Sequence, residues 1–157
     1  MRKLIVLIGI LVTISLSIAQ DETREGQDSL TFEQIKNDSW MDSAFLVKRF
    51  NFLPVLQKNA GTLGLTEEQK KIINSFYSKY YQKMVELAKS IQEKEKQLQD
   101  LIINGGDSKK IKELIVEIAK EKAELTVYNI KEVRTIQSAL TKEQFEKLKN
   151  LISQQII

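Results

Sequence analysis

Two long stretches of this chain contain neither glycine nor proline, and this feature limits its fold more than any other. The first stretch is Leu65 to Asn104 and the second is Asp107 to Ile157, with only Gly105-Gly106 between them. Glycine and proline are the residues that most often end or break a helix. We therefore predict an all-α fold, in which a long helix, a tight turn, a long return helix and a shorter last helix follow one another.

Apolar residues on the first long helix, predicted from Thr66 to about Ile103, recur at spacings of three and four, as in a coiled coil. They are Ile73, Tyr77, Tyr80, Met84, Leu87, Ile91, Leu98 and Leu101, and Lys94 interrupts them. The return helix carries Ile111, Ile115, Ile118, Leu125, Val133 and Ile136, and Lys122 and Asn129 interrupt that stripe. Folding back at Gly105 brings Ile91 near Ile118, so we predict a long antiparallel helical hairpin with shorter flanking helices.

The return helix has more apolar surface than one partner helix can cover. This second stripe consists of Val116, Ala119, Ala123, Val127 and Ile130. The flanking helices or a second chain must cover it. Because twofold dimers are the commonest oligomers, we expect a homodimer that forms along the long helices.

A repeated five-residue phrase marks the start of two predicted helices. It reads Leu65-Thr66-Glu67-Glu68-Gln69 at the first and Leu140-Thr141-Lys142-Glu143-Gln144 at the second. Thr followed three residues later by Gln is a capping box, in which each side chain bonds a backbone N–H of the first turn. We therefore expect Leu65, Thr66, Gln69, Leu140, Thr141 and Gln144 to cap helices. A third copy, Leu30-Thr31-Phe32-Glu33-Gln34, lies upstream.

The N-terminus has the composition of an export signal. Met1-Arg2-Lys3 precedes an apolar run from Leu4 to Leu16, and small residues follow up to Ala19. These are the parts of a secretory signal peptide, and the run is short for a membrane anchor of roughly 20 apolar residues. We expect residues 1–19 to be cleaved, after which the protein would not insert into a membrane.

The next segment, residues 20–39, is polar and acidic without periodicity, so we predict a mobile arm with at most a short helix from Thr31 to about Lys36. Residues 40–157 then form the helical domain. Its first helix is predicted over Trp40 to Phe50, where apolar residues stand at helical spacing, and Pro54 ends or kinks it.

The chain contains no histidine and no cysteine. The usual nucleophile–base pairs and zinc ligands are therefore missing, and we expect neither catalysis nor a bound cofactor or metal. Glu113, Glu117 and Glu121 form a straight row that we interpret as a solvated face, because oxygen-ligand sites need converging ligands. Acidic and basic residues alternate along the helices, which argues against a nucleic-acid partner despite the formal net charge of +3.

Aromatic and basic residues cluster within two turns of the first long helix. The cluster comprises Phe76, Tyr77, Lys79, Tyr80, Tyr81 and Lys83. Its aromatic members either pack in the core and in a dimer interface, or they present a contact surface for unfolded chains. In the second case the lysines would attract acidic segments, and the rings would hold apolar ones weakly.

The sequence resembles the periplasmic Spy/CpxP family. The resemblance rests on the two phrases at Leu65 and Leu140, on the helical hairpin between them and on the export signal, and it covers roughly Trp40 to Leu151. It implies a cradle-shaped dimer in the periplasm that acts either as an ATP-independent chaperone or as an envelope-stress regulator that binds a sensor kinase. The wider group also includes zinc-binding chaperones and metal sensors of heavy-metal resistance, but those relatives bind metal largely through histidine.

These observations lead us to expect a periplasmic chaperone or stress-response binding protein whose partners are unfolded or partly folded proteins. The alternatives are a metal-resistance accessory or metal sensor, and a regulator that binds a sensor kinase.

Overall fold

The computed structural model describes residues 29–155, and it describes side chains up to Ser153. A 3₁₀ helix, Ser39–Ala44, is followed by four α-helices: α1 (Leu53–Leu63), α2 (Glu67–Ile103), α3 (Ser108–Ala139) and α4 (Lys142–Gln155). No strand occurs among the described residues. The predicted all-α fold is confirmed, and α2 begins and ends within a residue of its predicted bounds.

The turn between α2 and α3 depends on its two glycines. Gly105 has a φ of 68°, in the left-handed region that residues with a side chain rarely adopt. A Cβ at Gly106 would lie 2.8 Å from the Cδ2 of Leu101, which is too close. The Asp107 side chain then accepts a hydrogen bond from the backbone N–H of Lys110 at 3.1 Å and caps α3.

The α2–α3 hairpin forms the long axis of the molecule and much of its core. Three pairs that the sequence placed opposite one another are buried on both helices: Ile73 and Ile136, Met84 and Leu125, and Ile91 and Ile118. The predicted antiparallel hairpin is therefore confirmed. Lys94, which interrupts the apolar residues of α2, forms ion pairs across the hairpin with Glu117 (3.2 Å) and Glu121 (2.7 Å).

Helices α1 and α4 pack together at the end of the hairpin where α2 begins and α3 ends. The ring centroids of Phe52 and Phe145 lie 6.1 Å apart, and Leu56 and Leu148 are fully buried. At the C-terminus of α1, Gly64 takes a left-handed conformation with φ of 64°, which turns the chain into the first capping phrase.

The predicted arm is wrong for residues 29–39, which belong to the folded body. Phe32 is fully buried, Ile35 is buried, and the Phe32 N–H donates to Asn74 Oδ1 on α2 at 2.8 Å. Thr31 to Gln34 form a single turn rather than a helix. The burial of two large apolar side chains offsets the entropy of ordering this polar segment. Residues 1–28, which include the predicted signal peptide and the rest of the arm, lie outside the described residues.

The predicted helix over Trp40 to Phe50 is also wrong beyond Ala44. From Phe45 to Phe52 the backbone is irregular, because its polar groups bond side chains of α3 instead of one another. The Leu46 N–H donates to Thr126 Oγ1 at 2.9 Å, and the Phe50 N–H donates to Asn129 Oδ1 at 3.0 Å. Tertiary hydrogen bonds thus override the helical spacing of the apolar residues.

Within residues 29–155, no helix is long and apolar enough to cross a membrane. The structure contains one chain, so the expected homodimer stays a prediction.

Candidate functional site

The two repeated phrases form matching capping boxes. In the first, the Gln69 N–H donates to Thr66 Oγ1 at 3.2 Å, and the Thr66 N–H donates to Gln69 Oε1 at 3.0 Å. In the second, the Gln144 N–H donates to Thr141 Oγ1 at 3.2 Å, and the Thr141 N–H donates to Gln144 Oε1 at 2.9 Å. The predicted capping role is therefore confirmed for Thr66, Gln69, Thr141 and Gln144.

The structure brings the two phrases together through their glutamines. Gln69 Nε2 donates to Gln144 Oε1 at 2.7 Å, and Gln144 Nε2 lies 3.2 Å from Gln69 Oε1. Gln144 Nε2 also lies 3.1 Å from the carbonyl oxygen of Leu63 and 3.3 Å from that of Gly64, at the end of α1. Each glutamine thus caps its own helix and joins it to the other, which ties α1, α2 and α4 at one point.

The third copy of the phrase does not form a full capping box. The Thr31 N–H donates to Gln34 Oε1 at 2.9 Å, but the Gln34 N–H donates to the Thr31 carbonyl, at 3.1 Å, rather than to its hydroxyl. Here the phrase closes a single turn, and the position after Thr is a buried Phe that anchors the segment.

The aromatic and basic cluster on α2 is divided by burial. Phe76 and Tyr77 are 3% and 1% exposed, so the structure corrects their assignment as surface contacts. The physical reason is that both lie on the side of α2 that packs in the core, with their rings edge to face at 5.4 Å. Tyr80 and Tyr81 are half-buried, and Lys79 and Lys83 are exposed.

Tyr80 belongs to a surface cluster that spans both helices of the hairpin. Its ring centroid lies 5.5 Å from that of Tyr128 on α3, and the Lys131 ammonium lies 5.2 and 5.3 Å from the Tyr80 and Tyr128 centroids. Lys79 Nζ lies 5.4 Å from the Tyr80 centroid on the other side. Such contacts are cation–π interactions. Tyr128 and Lys131 were not among the predicted residues, although the hairpin register places both close to Tyr80.

Beside Lys79 lies an open depression of about 940 Å³, whose walls include Lys70, Lys71, Glu33 and Glu67. Lys70 already pairs with Glu67 at 2.8 Å. The depression therefore offers a mixed polar surface and no apolar floor.

A buried polar cluster joins the N-terminal segment to the hairpin. Arg49 donates to Asp38 Oδ2 at 2.7 Å and lies 3.9 Å from Glu132 Oε2, and all three residues are buried. Glu132, which is 0% exposed, accepts hydrogen bonds from the Tyr77 hydroxyl at 2.7 Å and from Asn129 Nδ2 at 3.0 Å. Buried charges require such partners because an unpaired one is costly.

The electrostatics of this cluster follow from its burial. Loss of water raises the pKa of the Glu132 carboxyl, although Arg49, Tyr77 and Asn129 oppose the rise. Burial also raises the pKa of Tyr77 well above its ordinary value, and that of Tyr81 to about 12. Nothing in this cluster resembles a nucleophile with a base. We interpret it as the clamp that holds residues 38–51 on the hairpin.

An exposed apolar surface lies where the N-terminal segment runs along α3. Leu46 and Phe50 bond Thr126 and Asn129, whose next neighbours on α3 are Val127 and Ile130. The side chains of Leu46, Val47, Phe50, Val127 and Ile130 are each at least half exposed, and Phe50 reaches 63%. We call these five residues the apolar seam.

Several charged residues of α3 form ion pairs with α2. Glu121 accepts hydrogen bonds from Lys94 and from the hydroxyl of Ser90, and Lys122 pairs with Glu95 at 2.6 Å. Among the described residues, no three His, Cys, Asp or Glu side chains are grouped so that they could hold a metal ion.

Comparison with known proteins gives one finding. Residues 55–152 match the family model described as LTXXQ motif family protein, which spans α1 to α4 and contains both capping boxes. No curated protein and no solved structure matches the chain.

Proposed function

Because this chain belongs to the LTXXQ motif family, we propose that it is a binding protein of the bacterial cell envelope that shields unfolded or partly folded proteins without ATP. The family match supports the broad class of the protein. The finer statement rests on the surface described above and on the export signal expected from Met1 to Ala19.

The apolar seam is the observation that carries the proposal. Single exposed apolar residues are common, but several large ones on one short segment, as at Leu46, Val47 and Phe50, favour an interaction site. The backbone of Leu46 and Phe50 is held on α3 by hydrogen bonds while the side chains stay exposed, so the seam is a preformed apolar surface. Lys48, between them, is exposed. The seam therefore offers apolar contact and positive charge side by side, which suits unfolded chains of mixed composition.

The cluster of Tyr80, Tyr128, Lys79 and Lys131 supplies a second surface of the same character. Tyrosine presents apolar area with a polar edge and binds well where water is partly retained. Weak contacts at two surfaces would let a client stay mobile while both shield its apolar segments. No nucleotide-binding loop of the form GxxxxGK occurs in the sequence, so the proposed activity is binding alone.

A homodimer is part of this proposal. Val116, Val127 and Ile130, which belong to the second apolar stripe of α3, remain exposed in the single chain. A second copy that covers this stripe at Val116, outside the apolar seam, would bury apolar area at an isologous interface and leave Val127 and Ile130 free for clients. Sedimentation of the purified protein at several concentrations tests this, and a monomer throughout would leave the whole stripe free for clients.

Light scattering of a chemically denatured client, diluted into buffer with and without equimolar protein, tests the activity. We expect suppression of aggregation with no nucleotide added. No suppression of several unrelated clients, by protein whose circular dichroism is fully helical, would reject the chaperone role. A regulatory role, in which the seam binds one folded partner such as a sensor kinase, would then replace it.

A further inference from the structure

A cavity of about 700 Å³ lies between the N-terminal segment, α3 and α4. Its apolar walls are Phe50, Phe52, Val133, Phe145 and Ile152. This volume falls within the range of small-molecule sites, roughly 300–1,000 Å³, which are lined mainly by apolar and aromatic side chains with a few polar groups. The cavity is therefore large enough for a ligand with an apolar body.

The charged residues that line this cavity are all basic, and the other polar ones, Asn51 and Ser153, are neutral. Lys48, Arg49 and Lys149 line it, and no Asp or Glu does. Lys48 forms no ion pair with another described residue, whereas Lys149 pairs with Glu146 at 2.7 Å near its entrance. The acidic partners of Arg49 bond its terminal nitrogens and are not part of the lining. An anionic head group would thus meet positive charge and no carboxylate in the walls.

The guanidinium of Arg49 belongs to the buried polar cluster and does not supply the positive charge of the cavity. Its side chain is 1% exposed, and its terminal nitrogens bond Asp38 and Asp42. The charge that an anionic group could reach at this cavity is therefore that of Lys48 and Lys149, both of which are exposed.

We propose that this cavity binds a carboxylate with a long apolar chain, of the kind found in free fatty acids. The chain lies against the rings of Phe50, Phe52 and Phe145, and the carboxylate lies towards Lys48 and Lys149. A fatty acid fits better than an apolar polypeptide end, because apolar side chains lie beside two lysines in the lining and no β-strand with which a peptide could pair occurs there. This ligand site is separate from the capping boxes and goes beyond the proposed shielding of unfolded proteins.

Calorimetry with dodecanoate, below the concentration at which it forms micelles, tests the proposal on the folded chain. We expect saturable binding with one ligand per chain. Dodecanol, which has the same tail without the charge, is expected to bind about tenfold more weakly, the loss typical of a charge-assisted hydrogen bond. Equal binding of dodecanol would overturn the anionic part of the site, and no saturable binding of either would overturn the site itself.

Two variants test whether the ligand binds in this cavity. Phe50→Ser removes an exposed wall, and K48Q/K149Q removes two exposed charges, so neither is expected to unfold the protein. Both should weaken dodecanoate binding about tenfold, whereas K48R/K149R should retain it. The control is Lys147→Gln, an exposed residue of α4 outside the lining. Unchanged binding in both test variants would overturn the proposed location, and stronger competition by an apolar peptide with a free C-terminal carboxylate would reassign the site to polypeptide ends.

Discussion

Gln69 and Gln144, which lie 75 residues apart in sequence, join their side-chain amides in a direct hydrogen bond of 2.7 Å. Each amide oxygen also accepts the backbone N–H of the Thr in its own phrase. The two copies of the phrase therefore do more than start two separate helices, because their glutamine side chains also hydrogen-bond to each other. In this chain the family motif therefore also joins the start of α2 to the start of α4, at the open end of the hairpin.

Replacing Gln144 with Ala should destabilise the protein more than replacing Gln69 with Ala. Both changes remove a cap and the amide–amide bond, but Gln144 also bonds the carbonyl groups at the end of α1. We expect losses of about 1–2 kcal/mol in the free energy of unfolding, measured in urea. Gln34→Ala is the matched control, because Gln34 caps only its own turn. Because the two glutamines share a bond, the double variant should lose less than the sum of the single losses.

Glu132 should make the stability of the protein fall as pH rises, whereas most carboxylates make stability rise with pH. Burial raises the pKa of Glu132 in the folded state above its unfolded value. Its contribution is therefore fully present below the unfolded-state pKa and is lost as pH rises through the folded-state pKa. As pH rises from the unfolded-state pKa of Glu132 through its folded-state pKa, the wild-type protein should lose stability relative to Glu132→Gln. Urea unfolding at a series of pH values measures this difference.

A matched control for Glu132 is Glu146→Gln on the exposed face of α4. The pH dependence of this variant should follow that of the wild type. If the curves of wild type and Glu132→Gln stay parallel across the acidic range, the interpretation of Glu132 as a carboxylate strained by burial is wrong.

The parts of the fold that could be predicted are those with local causes. Helix ends, the turn at Gly105-Gly106 and the hairpin register follow from capping boxes, glycine and apolar spacing, which act over a few residues. Asn129 shows where such reasoning stops. In sequence it only interrupts an apolar stripe, but in the structure it bonds both backbone groups of Phe50, 79 residues away. That contact is long-range, and no local pattern records it.

The candidate surface was only partly predictable for a related reason. Phe76, Tyr77, Tyr80 and Tyr81 form one group in sequence, and residues four apart among them share a helix face. Their different exposure is therefore decided by what the rest of the chain packs against each turn, which no local pattern records. Glu132 is a similar case, since a glutamate on a charged helix is usually solvated. Its burial depends on Arg49, which approaches from a segment that the sequence predicted as helix.

Replacing Leu46 and Val47 with Ser should reduce the suppression of client aggregation with little effect on stability. Both side chains are more than half exposed, so their loss creates no core cavity. I102S/I103S is the control, because these residues are also exposed and apolar but lie at the far tip of the hairpin. Equal loss of activity in both variants, measured by light scattering, would show that general surface hydrophobicity matters rather than the apolar seam.

Charge should assist the capture of acidic clients through the lysines beside Tyr80. Lys79 and Lys83 are exposed, so salt screens them over about 8 Å at physiological ionic strength. We expect added salt to slow the association of an acidic unfolded client with the wild-type protein, as measured by stopped-flow fluorescence. K79Q/K83Q should flatten this salt dependence while leaving urea unfolding nearly unchanged, because exposed charges contribute little to stability.

K109Q/K110Q, at the exposed start of α3, serves as the control with the same change in net charge. If the two double variants flatten the salt dependence equally, then net charge alone steers the client. A distinct effect of Lys79 and Lys83 would place the encounter at the cluster of Tyr80 and Tyr128, where the rings can hold the chain that the lysines attract.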